Sequence, residues 1–408
     1  MRKLVLLQAR SSSSRLPQKS LLKIKNLPLI GFIYKRIKSK KYKVVVLTSK
    51  DKSDDYFSSV LEYLKINFFR GSLKNVKKRF LSYTKEYDDN DIIVRLTGDN
   101  ILVNRKIIDI SIDQLIKRNK NYLYTNPKLS GLPNGISVEV FRLNHLRSNK
   151  SNSASDREHV TYSFEKKLEN TVKVKKVKKF WKNTDCTIDY LDHYLKLKKI
   201  LDNQKIKIND DWEIIVDRIS KNKKIKFNIR KKIKLVTYYN YQLSNSLKLK
   251  ICKLKDQTWR YGIQSQLKYF NDNSSKSDLH NLMFYENKLI GYTTLKKKSF
   301  LYQDKKNKFN KLYYLLFDSF VIKKKYRKMN FAHILISYDN NKIFNKNIPA
   351  LLLCENKIIN FYYNHFWKKL PKKMYSLMNK KTDLNLMSLN LNKNFYKKKI
   401  SSKMLIRV

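Results

Sequence analysis

The sequence predicts an α/β protein of two domains, the first built on a mostly parallel sheet and the second on a mixed sheet. Three observations carry this. The chain has 408 residues, more than one hydrophobic core usually serves. From Lys3 to about Asn203, short β-rich runs alternate with amphipathic stretches, the pattern of βαβ units. After a lysine-rich interval the pattern changes to a hairpin, a long strand, a helix and a further strand. The expected division is therefore 1–220 for the first domain, 221–246 for a basic linker, and 247–408 for the second domain.

Taken in order, the first domain opens on the strand LVLLQA, followed by a helix over Leu29 to Ile37, the strand VVVLT and a helix from Asp54 to Leu64. Then come INFFR, a helix from Leu73 to Tyr87, and the strand DIIVRLT. Further strands are predicted at Tyr122 to Thr125, Ile136 to Phe141 and Thr171 to Val177. In the second domain NLMFYENKLIGYTTL reads as a hairpin turning at Glu286, Asn287 and Lys288. YYLLFDSFVI is a long strand, a helix starts near Asn330, and PALLLCE is a buried strand leading into KIINFYYNHFW. Nothing after Leu370 is assigned, and no internal repeat is present.

Hydrophobic residues make up 42% and aromatic residues 12%, enough apolar surface for real cores. Lys and Arg number 90 against 33 Asp and Glu, a formal charge of +57. The excess is lysine spread along the chain rather than gathered in a patch, so neither nucleic acid nor a membrane is expected as a partner. The charge would still draw an anionic substrate from a distance, less so in salt. Cys186, Cys252 and Cys354 have neither zinc-site spacing nor the number of a disulfide framework, and read as buried thiols in a reducing compartment. The first eight residues are too short an apolar run for a signal peptide, and no later run could span a bilayer, so a cytoplasmic protein is expected. A homodimer is allowed.

In open α/β sheets ligands gather beyond the carboxyl ends of the strands, which points to the loops after LVLLQA and IIVRLT. The first, QARSSSSRLPQK, offers Arg10, Arg15 and Lys19 beside four serines. Guanidinium forks, hydroxyls and backbone N–H groups can neutralise a triphosphate; a solvated connecting loop has the same composition. In the second, Asp99 stands where a carboxylate can hold Mg²⁺ with phosphate oxygens and waters, or can simply form a turn.

Q-A-R-x-x-S-x-R-L-P-x-K resembles the opening signature of the cytidylyltransferases related to CMP-sialic acid and CMP-Kdo synthetases, especially the spore-coat-polysaccharide type. FRGS with Val76 and Arg79, IIVRLTGDN, LPNGISVEVF, SDREHVT and CTIDYLDHY follow in collinear order over about the first 200 residues. The resemblance implies a Rossmann-like nucleotidyltransferase using CTP, Mg²⁺ and a sugar substrate. It places Gln8, Ala9, Arg10, Ser12, Ser13, Arg15, Lys19, Arg79, Thr97 and Gly98 at the nucleotide, with Arg10 and Lys19 catalytic. Asp99 and Asp189 fall at the metal, and Glu139, Asp156, Arg157, Glu158 and His159 at the sugar. For Asp189 a helix N-cap is the competing role. The sequence departs from the family where its usual glycines fall on Ser12 and Gln18, and its usual acids on Asn134 and Ser137.

The second domain's order, with the basic turn KKKYRKMNFA between strand and helix, resembles the GCN5-related N-acetyltransferases. In that family a turn at a helix N-terminus presents N–H groups to the pyrophosphate of acetyl-CoA. The match implies Arg327, Asn330 and Ala332 at the cofactor, with Asn330 and Phe331 in a stretch where glycine is usual, and Tyr362 or Tyr363 as the acid protonating the thiolate. The two resemblances together imply CMP transfer to an acidic sugar for surface polysaccharide or glycan synthesis, coupled to acetylation of an amino sugar. A basic, non-catalytic binder of RNA or anionic glycan is the alternative. The discriminating feature is whether Arg10, Arg15, Lys19, Asp99 and Asp189 converge on one cleft or the surface carries an extended basic stripe with stacked aromatics.

Overall fold

Leu4, Val5, Leu6 and Leu7 are all buried, as expected of a parallel strand covered on both faces, and they form the middle of β1 (Lys3–Gln8). The computed structural model describes residues 1–174, 177–179, 181, 184–203, 205–221, 232–303, 306, 308–378, 383–391 and 404–407. Two units divide the chain, Met1–Lys231 and Lys232–Val408.

In the first unit a small hairpin of β2 (Lys23–Ile24) and β3 (Leu27–Pro28) leads into α1 (Leu29–Ile37). It is followed by β4 (Lys43–Ser49), α2 (Asp55–Tyr63), β5 (Phe68–Gly71), α3 (Val76–Tyr83), β6 (Ile92–Thr97), α4 (Arg105–Lys117) and β7 (Tyr122–Tyr124). Then come α5 (Pro127–Ser130), β8 (Glu139–Arg142), α6 (Leu143–Ser148), α7 (Ala154–His159), α8 (Leu191–Leu201) and α9 (Trp212–Lys221). The six-stranded sheet has the order β5-β4-β1-β6-β8-β7. β1 runs parallel to β4 and β6, and β4 to β5, while β8 is antiparallel to β6 and β7. The chain builds outward from β1 on one side and returns on the other through β6, so the crevice at their carboxyl ends is the switch point where such sheets bind ligands. There the Gly98 N–H donates to the Gln8 carbonyl at 3.0 Å, and a Cβ on residue 98 would lie 3.2 Å from that of Ala9.

Three boundaries differ from the sequence reading. The helix expected from Leu73 begins at Val76 because Asn75 caps it, its side chain accepting from the Lys78 N–H at 2.8 Å. The strand expected from Ile136 begins at Glu139, since Gly135, at φ 97°, turns the preceding segment away. The strand expected over Thr171 to Val177 is a single bridge from Thr171 to Tyr124, and its residues 175 and 176 lie outside those described.

The second unit comprises β9 (Ile233–Tyr239), α10 (Asn245–Asp256), α11 (Ile263–Asp272), β10 (Leu279–Tyr285), β11 (Lys288–Gln303), β12 (Phe309–Ile322) and α12 (Phe331–Lys346). β13 (Ala350–Cys354), α13 (Ile359–Tyr363), β14 (Lys368–Lys369), β15 (Tyr375–Met378), β16 (Asn385–Leu389) and β17 (Met404–Arg407) complete it. The sheet runs β14-β16-β13-β12-β11-β10-β9, with β17 pairing β11 and β15. Glu286 and Asn287 both take positive φ, 52° and 60°, the backbone of a tight two-residue hairpin. The segment read as a basic linker to residue 246 instead supplies β9, which pairs along its length with β10. Most of the lysines that suggested a joint fall at 222–231, outside the described residues, and β9 itself carries one, Lys234. All three cysteines are buried and free. No helix among the described residues is long and apolar enough to cross a membrane.

Candidate functional site

The serine loop after β1 is held from beneath by a residue far away in sequence. Asp54, fully buried just ahead of α2, accepts from the Ser11 N–H at 2.7 Å and lies 2.8 Å from its hydroxyl. Its other oxygen takes the Ser49 N–H and hydroxyl at the end of β4. The Gln18 N–H closes the loop onto the Ser11 carbonyl at 2.9 Å. Gln18 does so at φ 61°, the left-handed region, which explains why the resembling family prefers glycine there. The closed loop forms one wall of a cavity of about 180 Å³ that Gln8, Ala9, Arg10, Ser13, Arg15, Lys19, Arg79, Thr97, Gly98, Asp99 and Glu158 help to line.

Charge meets beside this cavity, whose lining includes Arg15, Lys19 and Asp99 but not Asp189. The Lys19 ammonium lies 3.7 Å from Asp99 and 3.5 Å from Asp189, and donates to the Ile188 carbonyl at 3.0 Å. Arg15 reaches Asp189 at 3.2 Å, with its guanidinium over the Tyr190 ring. Asp189 is not the cap of α8: that position is Tyr190, with no side-chain cap. Burial opposes ionisation of Asp99, but the Lys19 charge and the Thr97 hydroxyl outweigh it and hold its pKa below the ordinary value. The two aspartates are brought together by backbone. Ile188 donates its N–H to the Asp99 carbonyl at 3.1 Å, and Cys186 to the Asn134 carbonyl at 2.8 Å. Gly135 permits this, since a Cβ there would come within 2.7 Å of the Cys186 backbone.

Several predicted residues sit elsewhere or are otherwise engaged. Arg79 lines the cavity, but its guanidinium is buried and donates to the carbonyls of Ser72 (2.9 and 2.6 Å), Leu47 (3.3 Å) and Leu73 (3.4 Å). Burial pushes its pKa down to about 10. It braces the wall, with four of its five N–H donors committed. Glu139 is bound by Arg95, by the Thr161 hydroxyl at 2.8 Å and by Tyr122 at 3.4 Å. Arg95 also holds Gln8 at 3.0 Å. Asp156, expected at the sugar, is buried; the hydroxyls of Ser151 and Ser153 and the Ser163 N–H bind it and keep its carboxyl far below the usual range. Arg157 and His159 are exposed on α7, and Ser12 is half-buried outside the cavity lining. Sequence reasoning missed Asp54 and Arg95. Arg95 had a signal in its place within the VRLTGD run, whereas Asp54 acts across 43 residues with no local mark.

Two carboxylates facing a basic, hydroxyl-rich loop suit Mg²⁺, which takes one or two carboxylates together with phosphate oxygens and waters. Among the described residues no three His, Cys, Asp or Glu side chains gather into a closed cage.

In the second unit β12 and β13 run parallel but pair only at Leu315 with Ala350 and Leu316 with Leu351. α12 joins them, entered through Asn330 at φ 62° without a side-chain cap; asparagine tolerates this backbone better than most residues. Ala332 lies in the first turn. The Arg327 side chain is tied to the Ile322 carbonyl at 3.0 Å and the Thr258 hydroxyl at 2.7 Å. Tyr362 is buried against Phe317, Phe361 and Trp367, and burial lifts its pKa; Tyr363 is exposed. Antiparallel strands, a strand–helix–strand crossover whose parallel strands part after two pairs, and a terminal antiparallel strand make up the GCN5-related N-acetyltransferase fold.

Comparison with known proteins places this geometry. An uncharacterised protein of Methanocaldococcus jannaschii, MJ1063, is 34% identical over 243 residues, 57% of this chain and 96% of the relative. The spore coat polysaccharide biosynthesis protein SpsF of Bacillus subtilis is 29% identical over 149 residues, 35% of this chain and 60% of SpsF. Among solved structures, a cytidylyltransferase from Leptospira borgpetersenii is 28% identical, with a TM-score of 0.49 over 55% of this chain and 96% of that one. An acetyltransferase of the GNAT family from Staphylococcus aureus aligns at 16% identity and a TM-score of 0.28, over 38% of this chain and 97% of that one. The family model described as cytidylyltransferase matches residues 4–348. With that match running through most of its length, the chain belongs to the cytidylyltransferase family.

Proposed function

We propose that the first unit transfers CMP from CTP to a hydroxyl of a nonulosonic or ulosonic acid, with Arg10, Arg15, Lys19, Asp99 and Asp189 as its working residues. The observation that carries this reading is that Lys19 lies within 3.7 Å of both Asp99 and Asp189, with Arg15 at 3.2 Å from Asp189, although the two aspartates are far apart in sequence. It favours an enzyme over a basic binder, for which an extended stripe was expected. The sugar oxygen attacks the α-phosphorus in line; the new bond to phosphorus forms as the bond to the bridging oxygen breaks, pyrophosphate leaves, and the hydroxyl proton passes to solvent. Arg10, Arg15 and Lys19 offset charge on the leaving pyrophosphate, and Gln8, Ala9 and Gly98 shape the approach. Asp99 and Asp189 would hold Mg²⁺, which supplies charge neutralisation at the phosphates and lowers the pKa of a coordinated hydroxyl. Glu158, on the cavity rim, is the remaining acidic contact for the sugar. The B. subtilis relative's name supports a surface polysaccharide as the destination.

The second unit, on this reading, binds acetyl-CoA where β12 and β13 part, its pyrophosphate at the α12 N-terminus beside Asn330 and Ala332, and acetylates an amino sugar. As the free amine bonds to the acetyl carbon and the C–S bond breaks, Tyr362, which packs against Phe317 of β12, would donate its proton to the departing thiolate, and the amine's proton passes to solvent.

The test is incubation of the full chain with each NTP, Mg²⁺ and a panel of ulosonic acids, measuring pyrophosphate. Release with CTP that depends on the sugar is expected. Failure of CTP across the panel, or release indifferent to the sugar, would remove the transferase reading. Calorimetry with acetyl-CoA tests the second unit, and absence of binding there counts against acetylation.

A further inference from the structure

A second cavity, of about 630 Å³, lies wholly within the second unit between α10, α11 and β12. Lys255, Trp259, Tyr261, Tyr269, Asp318 and Ser319 contribute to its lining. Asp318 and Ser319 interrupt β12 where its register with β11 shifts, and Ser319 takes φ 56°. β12 is also the strand that borders the gap proposed for acetyl-CoA.

The charges in this cavity are unusual for a structural pocket. Lys255 is only 5% exposed, yet its ammonium makes no hydrogen bond or ion pair among the described residues; its one close partner is the Tyr269 ring, 5.2 Å away. A buried lysine left without an anion is costly unless something completes it. Lys296, also buried, is by contrast paired with Asp318 at 3.0 Å and touches the same ring. Burial lowers the Lys255 pKa, with Asp318 partly restoring it. A cation therefore opens into the cavity with no counter-charge of its own, next to a carboxylate on the strand facing the acetylation gap and between aromatic side chains that suit an amphipathic ring.

The geometry points to this cavity as the acceptor site for a small sugar that carries both an amino group and an acidic group, Lys255 binding the acid; Asp318, already held by Lys296 and the Ser319 N–H, lies beside the amine, which gives its proton to solvent and attacks the acetyl carbonyl as the thiolate leaves. This rests on the acetyltransferase reading for its chemistry, but not for its binding. The acid is a carboxylate or a phosphate, the same chemistry from two sources.

Calorimetry on the full chain distinguishes them, with glucosamine, glucosamine 6-phosphate and 2-amino-2-deoxyglucuronic acid as probes. At least one acidic probe should bind tenfold or more tighter than glucosamine, and which one does identifies the source. Lys255→Met should erase that preference and Lys255→Arg retain most of it. Tyr261→Ala, at an exposed position on the rim, should weaken binding several-fold without touching the core. Equal binding of all three probes, no binding of either acid, or an acid preference that survives Lys255→Met would each overturn the proposal. Acetyl-CoA titrated separately, with thiol release, decides the acetyltransferase reading on its own: acid binding dependent on Lys255 but without acetyl-CoA binding would keep the site and discard the reaction.

Discussion

Lys19 does two things at once in the first unit. Its ammonium separates Asp99 from Asp189, two carboxylates that would otherwise repel, and it faces the cavity proposed for the triphosphate. Lys19→Met should therefore lower kcat/KM for CTP by about 100-fold or more, the scale of losing one well-placed charge at a developing anion; steady-state pyrophosphate release measures it, and a change below tenfold would show the ammonium to be merely structural. Gln18 permits a stability test. It holds left-handed backbone, and its buried side-chain oxygen finds no hydrogen-bond partner among the described residues. Gln18→Gly removes both penalties at the cost of a more flexible unfolded chain, and should raise stability by about 1 kcal/mol. A lowered denaturation midpoint would contradict this.

At the scale of elements, the loop depends on α2 through Asp54. Asp54→Ala strips acceptors from Ser11 and Ser49 and should cost ~3 kcal/mol, together with a raised KM for CTP as the loop loosens; an unchanged KM would mean that the loop holds its shape unaided. In the second unit, α12 carries Asp339 against the sheet. One of its oxygens accepts from Asn281 at 2.6 Å and Thr293 at 2.7 Å, and the other has no hydrogen-bond partner among the described residues. Burial drives its pKa from 3.8 to about 7 despite those two donors. The folded form thus keeps a proton that the unfolded chain releases. Its stabilisation is complete below pH 4 and is lost as pH rises to about 7, a difference on the order of 4 kcal/mol. Asp339→Asn should flatten that slope in denaturation measured between pH 4 and 8, and an unaltered slope would exclude Asp339 as its source.

The same elements show what the sequence could reveal. β1, α1, β4 and β6 were legible because continuous apolar runs and helical periodicity are local. The hairpin at Glu286 and Asn287 was legible because a short polar break with the turn-former Asn287 interrupts two β-rich runs. β9 was hidden because it directly follows a lysine-rich run that reads as a joint, and the Thr171 segment looked like a strand while having one bridge among its described residues. In the site, the basic loop and Asp99 could be read from their places after strands. Arg79 and Asp156 could not, because whether a charged side chain faces a ligand or a backbone carbonyl is decided by partners distant in sequence. Asp54 is the extreme case, a side chain that shapes the loop without belonging to it.

For the whole molecule, a charge of +57 acts on every anionic ligand. Attraction at long range is screened over about 10 Å at 0.1 M salt, so KM for CTP should rise several-fold between 50 and 200 mM salt while kcat changes little. A salt-independent KM would confine the electrostatics to the cavity. The account as a whole rests on Asp99 and Asp189 serving one bound triphosphate together, although they stand far apart in the first unit's sequence. A double-mutant cycle on Mg²⁺-dependent pyrophosphate release addresses this most directly. Asp99→Ala and Asp189→Ala should each lower kcat/KM by about 100-fold or more, and the double variant should be little worse than the poorer single one, as for groups that act as a unit. Losses that multiply would mean two independent sites, and full activity in either single variant would place that aspartate outside the chemistry.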